Sequence, residues 1–210
     1  MRKRALIGIL MILPAWAVAE PVTIAALGDS LTQGYGLPSE QGFVPQLENW
    51  LVAEGAEVTL INAGVSGDTT AGGLARVAWT LTPEVDAMIV TLGGNDLLRA
   101  IDPAVSRANL TGILEAAQTA GVKVLLVGMQ APGNFGPEYK DQFDAMYPEL
   151  AAQFGTLFMK SYFEGLGTDD LAAARDLMQA DGIHPNAQGV TKVVEAFGPR
   201  VLELIDLVGD

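Results

Sequence analysis

The chain has 210 residues, half of them hydrophobic and 18% charged, and its formal net charge at pH 7 is −13. This length suits one domain with a sizeable core. The acidic balance disfavours binding to nucleic acid, and the lack of cysteine excludes disulfides, catalytic thiols, cysteine-ligated zinc and a lipid on an N-terminal cysteine.

The first predicted element is an export signal at residues 1–19. Residues 2–4 are basic, residues 5–13 are apolar, and Ala17-Val18-Ala19 has the small-x-small pattern of a cleavage site. We therefore predict a cleavable signal peptide followed by a mature domain over residues 20–210. Such a signal fits a bacterial protein of the periplasm or of the medium.

The alternative for this segment is an uncleaved membrane anchor. The apolar run is shorter than the roughly 20 residues that a span needs, and Pro14 interrupts it. Cleavage would remove three basic residues and no acidic one, so the formal charge would change from −13 to −16. We therefore expect a soluble mature chain with no stable membrane insertion.

After the signal, short apolar runs alternate with helical stretches. The runs are rich in β-branched residues and apolar at nearly every position, as is typical of parallel strands buried on both faces. The predicted strands are residues 22–27, 58–61, 87–92, 122–127 and 156–158. The predicted helices are residues 43–54, 70–79, 103–120, 140–154, 169–179 and 186–207. The alternation predicts one α/β domain whose parallel sheet is covered on both sides, with core positions that include Trp50, Trp79, Phe154 and Phe158.

Polar segments follow the first three predicted strands. They are Gly28-Asp29-Ser30, residues 62–69, and Gly93-Gly94-Asn95-Asp96. Right-handed crossovers bring the carboxyl ends of parallel strands to one rim, where doubly wound sheets bind their ligands. A fourth segment, residues 181–186, precedes the last helix and contains the sole histidine. We expect all four segments to meet at that rim.

These segments contain the residue types of nucleophilic hydrolysis. A serine hydroxyl is a poor nucleophile until an imidazole takes its proton, and a carboxylate holds that imidazole in the right tautomer. Ser30 would be the nucleophile, His184 the general base and then acid, and Asp181 the carboxylate. The backbone N–H groups of Ser30 and Gly67 and the side-chain amide of Asn95 are candidate donors to an oxyanion.

The four segments together resemble the SGNH, or GDSL, hydrolase family. The motifs are Gly28-Asp29-Ser30-Leu31, Ser66-Gly67-Asp68-Thr69, Leu92-Gly93-Gly94-Asn95-Asp96 and Asp181-Gly182-Ile183-His184-Pro185-Asn186, in that order. The chain is most similar to the bacterial branch of acyl-CoA thioesterase I, lysophospholipase L1 and arylesterase. The resemblance implies a flavodoxin-like sheet of five parallel strands in the order 2-1-3-4-5.

For function, the resemblance implies that Ser30, Gly67, Asn95 and His184 are the four namesake residues and that Asp181 completes the triad. We expect a serine esterase that needs no metal or organic cofactor and whose partner is a small acyl ester. Aryl esters, lysophospholipids and acyl thioesters are the expected substrates. We also expect the protein to be a monomer.

Substrate preference is expected to depend on residues around the triad. Leu97 stands where close relatives often have a small residue, and Gln33 stands where alanine or serine is frequent. The turn-rich loop at residues 132–139 is a candidate lid, on which Phe135 and Tyr139 are candidates to line an acyl groove.

Three alternatives remain at this stage. A carbohydrate O-acetyl esterase uses the same scaffold. A metal-dependent phosphoesterase would use as ligands Asp29, Asp68, Asp96, Asp181 and His184. A non-catalytic binding module would retain the triad without turnover. Outside the metal hypothesis, we interpret Asp29 as a turn and capping residue, and Asp96 as an acceptor of backbone donors that holds its own loop.

Overall fold

The computed structural model describes residues 21–167 and 173–209. In this part of the chain, five strands form one sheet: β1 (Val22–Gly28), β2 (Val58–Gly64), β3 (Ala87–Thr91), β4 (Lys123–Val127) and β5 (Leu157–Met159). The strand order is β2-β1-β3-β4-β5, and all neighbouring strands are parallel. The predicted order of 2-1-3-4-5 is therefore confirmed. β1 and β3 occupy the middle of the sheet, so the segments that follow them lie at its centre.

Helices cover both faces of the sheet. They are α1 (Ser30–Gln33), α2 (Phe43–Ala53), α3 (Thr70–Thr80), α4 (Gly94–Leu98), α5 (Pro103–Ala120), α6 (Pro137–Phe154) and α7 (Ala187–Asp206). On one face α2 packs against α7, and on the other α5 packs between α3 and α6. The short helices α1 and α4 follow the central strands directly, and the sequence did not predict them.

The packing of α2 against α7 follows from their apolar stripes. In α2 the buried residues recur at helical spacing, as Phe43, Leu47 and Leu51 illustrate. The rings of Phe43, Tyr162 and Phe197 meet with centroids 4.9 to 5.5 Å apart, which joins both helices to the loop after β5. Each such fully buried side chain contributes on the order of 1.5–3 kcal/mol.

One predicted helix is wrong over its described part. Of the predicted residues 169–179, the structure describes residues 173–179, which contain only a short 3₁₀ turn at Arg175–Leu177. The following chain pairs with itself instead: Met178 and Pro185 form an antiparallel bridge, and the Gln179 N–H donates to the His184 carbonyl at 2.7 Å. Tertiary pairing around the histidine segment therefore overrides local helix propensity.

Trp79 also departs from the prediction, because its side chain is 85% exposed rather than in the core. It lies in the last turn of α3, whose buried face is marked by Thr70, Gly73 and Val77. Trp79 falls nine residues after Thr70, about 180° around a helix with 3.6 residues per turn, and therefore on the opposite face.

The predicted export signal at residues 1–19 lies outside the described residues. Across residues 21–167 and 173–209, every helix is either too short or too polar to cross a bilayer.

Candidate active site

All four predicted segments contribute to one cavity of about 800 Å³ at the carboxyl ends of the strands. Ser30 and Asn95 lie in the first turns of α1 and α4, directly after β1 and β3. Gly67 lies in the loop between β2 and α3, and His184 lies shortly before α7. Ser30, Gly67, Asn95 and His184 all line this cavity. The topology thus brings together residues that are up to 154 positions apart in the chain.

The nucleophile candidate sits on a tight turn from strand to helix. Asp29 caps α1 by accepting the Leu31 N–H at 3.0 Å, so Ser30 begins the helix at the floor of the cavity. Glycine is required at position 28, because a Cβ there would be 2.0 Å from Thr32 Oγ1 and 2.9 Å from the Thr91 carbonyl oxygen. The turn can therefore pack against the end of β3 only with a bare backbone at this position.

Arg76 on α3 braces this turn from behind. Its guanidinium donates to the Gly28 carbonyl at 2.8 Å and the Ala63 carbonyl at 2.7 Å, and it pairs with Asp68 at 2.6 Å. The side chain therefore joins the carboxyl ends of β1 and β2. Sequence reasoning missed Arg76. The available signal was its position as a lone cation within the apolar pattern of α3.

Ser30, His184 and Asp181 form a continuous hydrogen-bonded chain. His184 Nε2 is 2.8 Å from Ser30 Oγ, and His184 Nδ1 is 2.7 Å from Asp181 Oδ2. With the ring proton on Nδ1, the imidazole donates to the carboxylate and accepts from the serine hydroxyl. This is the arrangement that general-base activation of a serine requires.

Asp181 is held in its ionised form by a tight local turn. Its Oδ1 accepts the backbone N–H groups of Ile183 at 2.9 Å and His184 at 3.0 Å. Desolvation raises the pKa of Asp181, but the hydrogen bonds from the His184 ring and from these two backbone groups outweigh it and lower the pKa to about 2. The carboxylate is therefore charged throughout the neutral range and keeps the imidazole in one orientation.

Tyr35 covers the outer side of the imidazole. Its ring centroid lies 4.7 Å from that of His184. The Gln179 side-chain amide donates to the Tyr35 carbonyl at 2.8 Å and the Pro185 carbonyl at 3.0 Å, and so connects the loop after α1 to the histidine segment. Sequence reasoning missed both residues, since neither belongs to a motif.

The three candidate oxyanion donors line the same cavity. A hydrogen bond fixes the backbone of Gly67, and another fixes the side chain of Asn95. Gly67 has a φ of +84°, which favours glycine, and its carbonyl accepts from Arg99 Nη2 at 2.8 Å. The Asn95 side-chain amide donates to Asp29 Oδ2 at 3.2 Å. Arrangements of this kind supply preorganised donors for a developing negative charge.

Asp96 joins three helices instead of holding only its own loop. The residue is fully buried and accepts the Thr70 N–H at 2.8 Å, the Thr70 hydroxyl at 2.5 Å and the Ser106 hydroxyl at 2.8 Å. The interpretation as an acceptor that holds its own loop is thus corrected, because two of its three donors are side chains of α3 and α5. The carboxylate fixes the position of α4, and with it that of Asn95.

The metal hypothesis required several of these carboxylates to converge. Asp68 instead pairs with Arg76, Asp96 binds Thr70 and Ser106, and Asp181 binds His184. Within the residues that the structure describes, no three His, Cys, Asp or Glu side chains lie close enough together to hold a metal ion.

Much of the cavity wall is apolar. It includes Leu97, as expected, together with Leu98, Met129, Ala131, Pro132, Phe163 and Ile183. Lys140 anchors this wall by donating to the Ala131 carbonyl at 2.6 Å and to Asp144 at 2.6 Å, while Asp144 accepts the Ala131 N–H at 2.7 Å. Gln33 does not itself line the cavity, but it accepts the hydroxyl of the lining residue Ser66 at 2.7 Å.

Phe135 and Tyr139 do not line the described cavity, in contrast to the prediction. The Tyr139 ring is stacked on Phe143 with centroids 5.9 Å apart, and the Phe135 ring packs at a tilt against Tyr139 with centroids 5.1 Å apart. The Tyr139 hydroxyl donates to the Ile101 carbonyl at 2.9 Å. Tyr139 belongs to α6, which begins at Pro137. The helical backbone of α6 therefore directs Tyr139 toward Phe143 and residue 101, Phe135 packs on Tyr139, and only Pro132 and Gly133 of the predicted loop line the cavity.

Comparison with known proteins identifies the scaffold. Residues 26–192 match the GDSL-like lipase/acylhydrolase family. The chain belongs to this family. The prediction of an SGNH-type serine hydrolase with an esterase fold is confirmed.

Relatives of this GDSL-like chain carry the names of esterases. Esterase TesA of Pseudomonas aeruginosa is 38% identical over 206 residues, covering 98% of this chain and 100% of TesA. An arylesterase of Vibrio mimicus is 34% identical over 181 residues, covering 86% of this chain and 88% of the arylesterase. The crystal structure of AlinE4, an SGNH-hydrolase family esterase, has a TM-score of 0.73 at 42% identity and covers 89% of this chain and 98% of AlinE4.

Proposed function

We propose that this protein is a serine esterase that cleaves acyl esters through an acyl-enzyme on Ser30. The observation that carries the proposal is the unbroken chain from Ser30 Oγ to His184 Nε2 at 2.8 Å and from His184 Nδ1 to Asp181 Oδ2 at 2.7 Å. Ser30 and His184 line a largely apolar cavity, which gives an acyl group a place to bind.

In the first half-reaction, His184 Nε2 takes the Ser30 proton while Ser30 Oγ forms a bond to the ester carbonyl carbon. The carbonyl oxygen becomes an oxyanion, which would accept hydrogen bonds from the backbone of Ser30 and Gly67 and from the amide of Asn95. Collapse breaks the bond to the leaving oxygen, which receives the proton from His184. In the second half-reaction, water attacks the acyl-enzyme with His184 as base, and Ser30 is released with its proton.

The shape and charge of the site favour uncharged acyl and aryl groups. The cavity that Ser30 lines is also lined by leucine, methionine and phenylalanine side chains, and Lys140, a cation in the same lining, is paired with Asp144. The strongly acidic chain would repel the phosphates of CoA. We therefore propose aryl esters and lysophospholipid acyl groups as substrates ahead of acyl-CoA thioesters.

A series of 4-nitrophenyl esters from acetyl to dodecanoyl tests this proposal. We expect kcat/KM to increase from acetyl to at least hexanoyl, because each added methylene that enters the apolar cavity is worth about 0.8 kcal/mol, or roughly fourfold. We expect the same rates with a chelator present. A strong preference for acetyl groups on sugars would instead support the O-acetyl esterase alternative, and loss of turnover with chelator would support a metal-dependent mechanism.

We propose further that residues 1–19 direct export and are removed. The support is the basic start, apolar stretch and small-x-small site of this segment. Expression of the full chain in a bacterial host should yield a secreted or periplasmic product whose N-terminus is Glu20. Intact-mass measurement and N-terminal sequencing check this, with an Ala19→Asp variant as the uncleaved comparison. A mature product that still begins at Met1 would contradict the proposal.

A further inference from the structure

Asp29 is a buried carboxyl group at the centre of the site that the triad mechanism does not use. It is 2% exposed, directly precedes Ser30 and lines the cavity. Its two oxygens have separate partners: Oδ1 accepts the Leu31 N–H at 3.0 Å, and Oδ2 accepts the Asn95 side-chain N–H at 3.2 Å. The first contact caps a helix, and the second reaches a candidate oxyanion donor on another strand end.

The side-chain amide of Asn95 is useful to an oxyanion in only one orientation. Its nitrogen carries two hydrogens and donates, whereas its oxygen only accepts, and the two ends have nearly the same shape. An ionised carboxylate accepts only, so Asp29 Oδ2 attracts the nitrogen end and repels the oxygen end. When one hydrogen is held by Asp29, the other remains free for a ligand in the cavity.

We propose that Asp29 is a positioning residue that selects the donor orientation of the Asn95 amide and thereby maintains the oxyanion hole. This inference rests on the proposed esterase function and adds a role for a residue outside the triad. Protonated Asp29 could instead donate to Asn95 Oδ1, which would allow the amide to turn its acceptor end toward the oxyanion. The ionised form of Asp29 is therefore the active form.

Helix capping alone does not account for this placement. Asp102, which caps α5 by accepting the Ala104 N–H at 2.8 Å, does so from an exposed position. Asp29 caps a helix of only four residues while buried, and burial raises its pKa to about 6 against the opposing effects of the hydrogen bonds from Leu31 and Asn95. Gly94 leaves little free space at this carboxylate, since a Cβ there would lie 3.3 Å from Oδ2.

Several charged or titratable groups lie near Asp29, and some of them change its pKa. The charge of His184 lowers the pKa of Asp29, and that of Asp68 raises it. The charge of Asp29 also reaches the hydroxyls of Tyr147 and Tyr162, and burial raises their pKa above the usual value, so both stay neutral. Arg76 is the cation packed behind this turn, where it donates to the Gly28 carbonyl and pairs with Asp68.

Three variants of Asp29 separate positioning from capping. Serine is a good helix cap but is too short to hold Asn95, so Asp29→Ser keeps the capping role and loses the positioning role. We expect Asp29→Ser and Asp29→Ala to lower kcat for a 4-nitrophenyl ester by roughly 100-fold with KM changed less than about threefold. Asp29→Asn keeps a neutral acceptor and should lose about tenfold in kcat. The matched capping control, Asp102→Ala, should keep the wild-type kcat.

A second measurement does not depend on turnover. In a Ser30→Ala background, the side-chain amide signals of Asn95 in a ¹⁵N-correlated spectrum should shift as pH passes through about 6, following Asp29 ionisation. That shift should be absent in Ser30→Ala/Asp29→Asn. The acid limb of the kcat profile should likewise be less steep in Asp29→Ser than in wild type.

The possible outcomes distinguish this inference from the proposed function. If wild-type protein hydrolyses esters and folded Asp29→Ser retains wild-type kcat, the positioning role is refuted and the esterase stands. Asn95 amide signals that show no titration removed by the Asp29→Asn change also refute it. If the wild-type protein hydrolyses no ester at all, the proposed function itself fails.

Discussion

Replacing Ser30 by alanine should lower kcat/KM for 4-nitrophenyl butyrate by roughly 10⁴- to 10⁶-fold. The hydroxyl lies 2.8 Å from His184 Nε2 and is the group that would form a bond to the acyl carbon, so its removal eliminates the acyl-enzyme pathway. Steady-state hydrolysis at pH 8 measures the effect, and circular dichroism checks that the variant is folded.

The matched control is Ser39→Ala, which changes an exposed serine in the short turn Ser39–Gln41 and should retain wild-type rates. His184→Ala should have a similar loss, and the double variant Ser30→Ala/His184→Ala should be little worse than either single variant, because the two residues act as one unit. Turnover of Ser30→Ala within tenfold of wild type would exclude Ser30 as the nucleophile.

Asp96→Ala should reduce the free energy of unfolding by about 3–5 kcal/mol. The substitution leaves the Thr70 N–H and the hydroxyls of Thr70 and Ser106 without their acceptor in a site that is fully buried. Hydrogen bonds to a charged group contribute about 1.5–3 kcal/mol each, and unsatisfied buried donors add a desolvation cost. Equilibrium urea unfolding measures the difference.

Asp141→Ala provides the comparison, since Asp141 is exposed on α6 and should change stability by less than about 0.5 kcal/mol. Asp96→Asn should lie between the two, because an amide of the same shape keeps one acceptor but directs an N–H₂ group toward a donor. Equal stability of Asp96→Ala and Asp141→Ala would show that the hydrogen bonds of Asp96 to α3 and α5 contribute nothing to the free energy of unfolding.

The sequence predicts the fold and the chemical core of the site well, for physical reasons. Strands buried on both faces must be apolar at consecutive positions, which marks β1, β3 and β4, whereas buried and exposed positions alternate at the start of the edge strand β2. A nucleophile, a base and oxyanion donors require particular residue types, and a single histidine leaves one choice for the base. Ser30, Asn95 and His184 could therefore be placed at one rim before any coordinates were available.

The surroundings of the site were much less predictable. Arg76, Tyr35 and Gln179 act through backbone carbonyls or ring faces, and such contacts impose no spacing pattern on the sequence. Phe135 and Tyr139 are aromatic residues of the kind that line acyl grooves, but the helical backbone of α6 directs Tyr139 toward Phe143 and residue 101, and Phe135 packs on Tyr139. Side-chain direction depends on where a helix begins, and sequence patterns place that boundary only to within a few residues.

The separation of 154 positions between Ser30 and His184 determines when a newly made chain becomes competent. All five described strands are synthesised before the ribosome reaches the base, and the histidine turn leads into α7, which docks on α2. Long-range contacts of this kind form late in assembly, because loop closure must be achieved first. A nascent polypeptide that carries the serine therefore lacks hydrolytic power until almost its whole length has emerged.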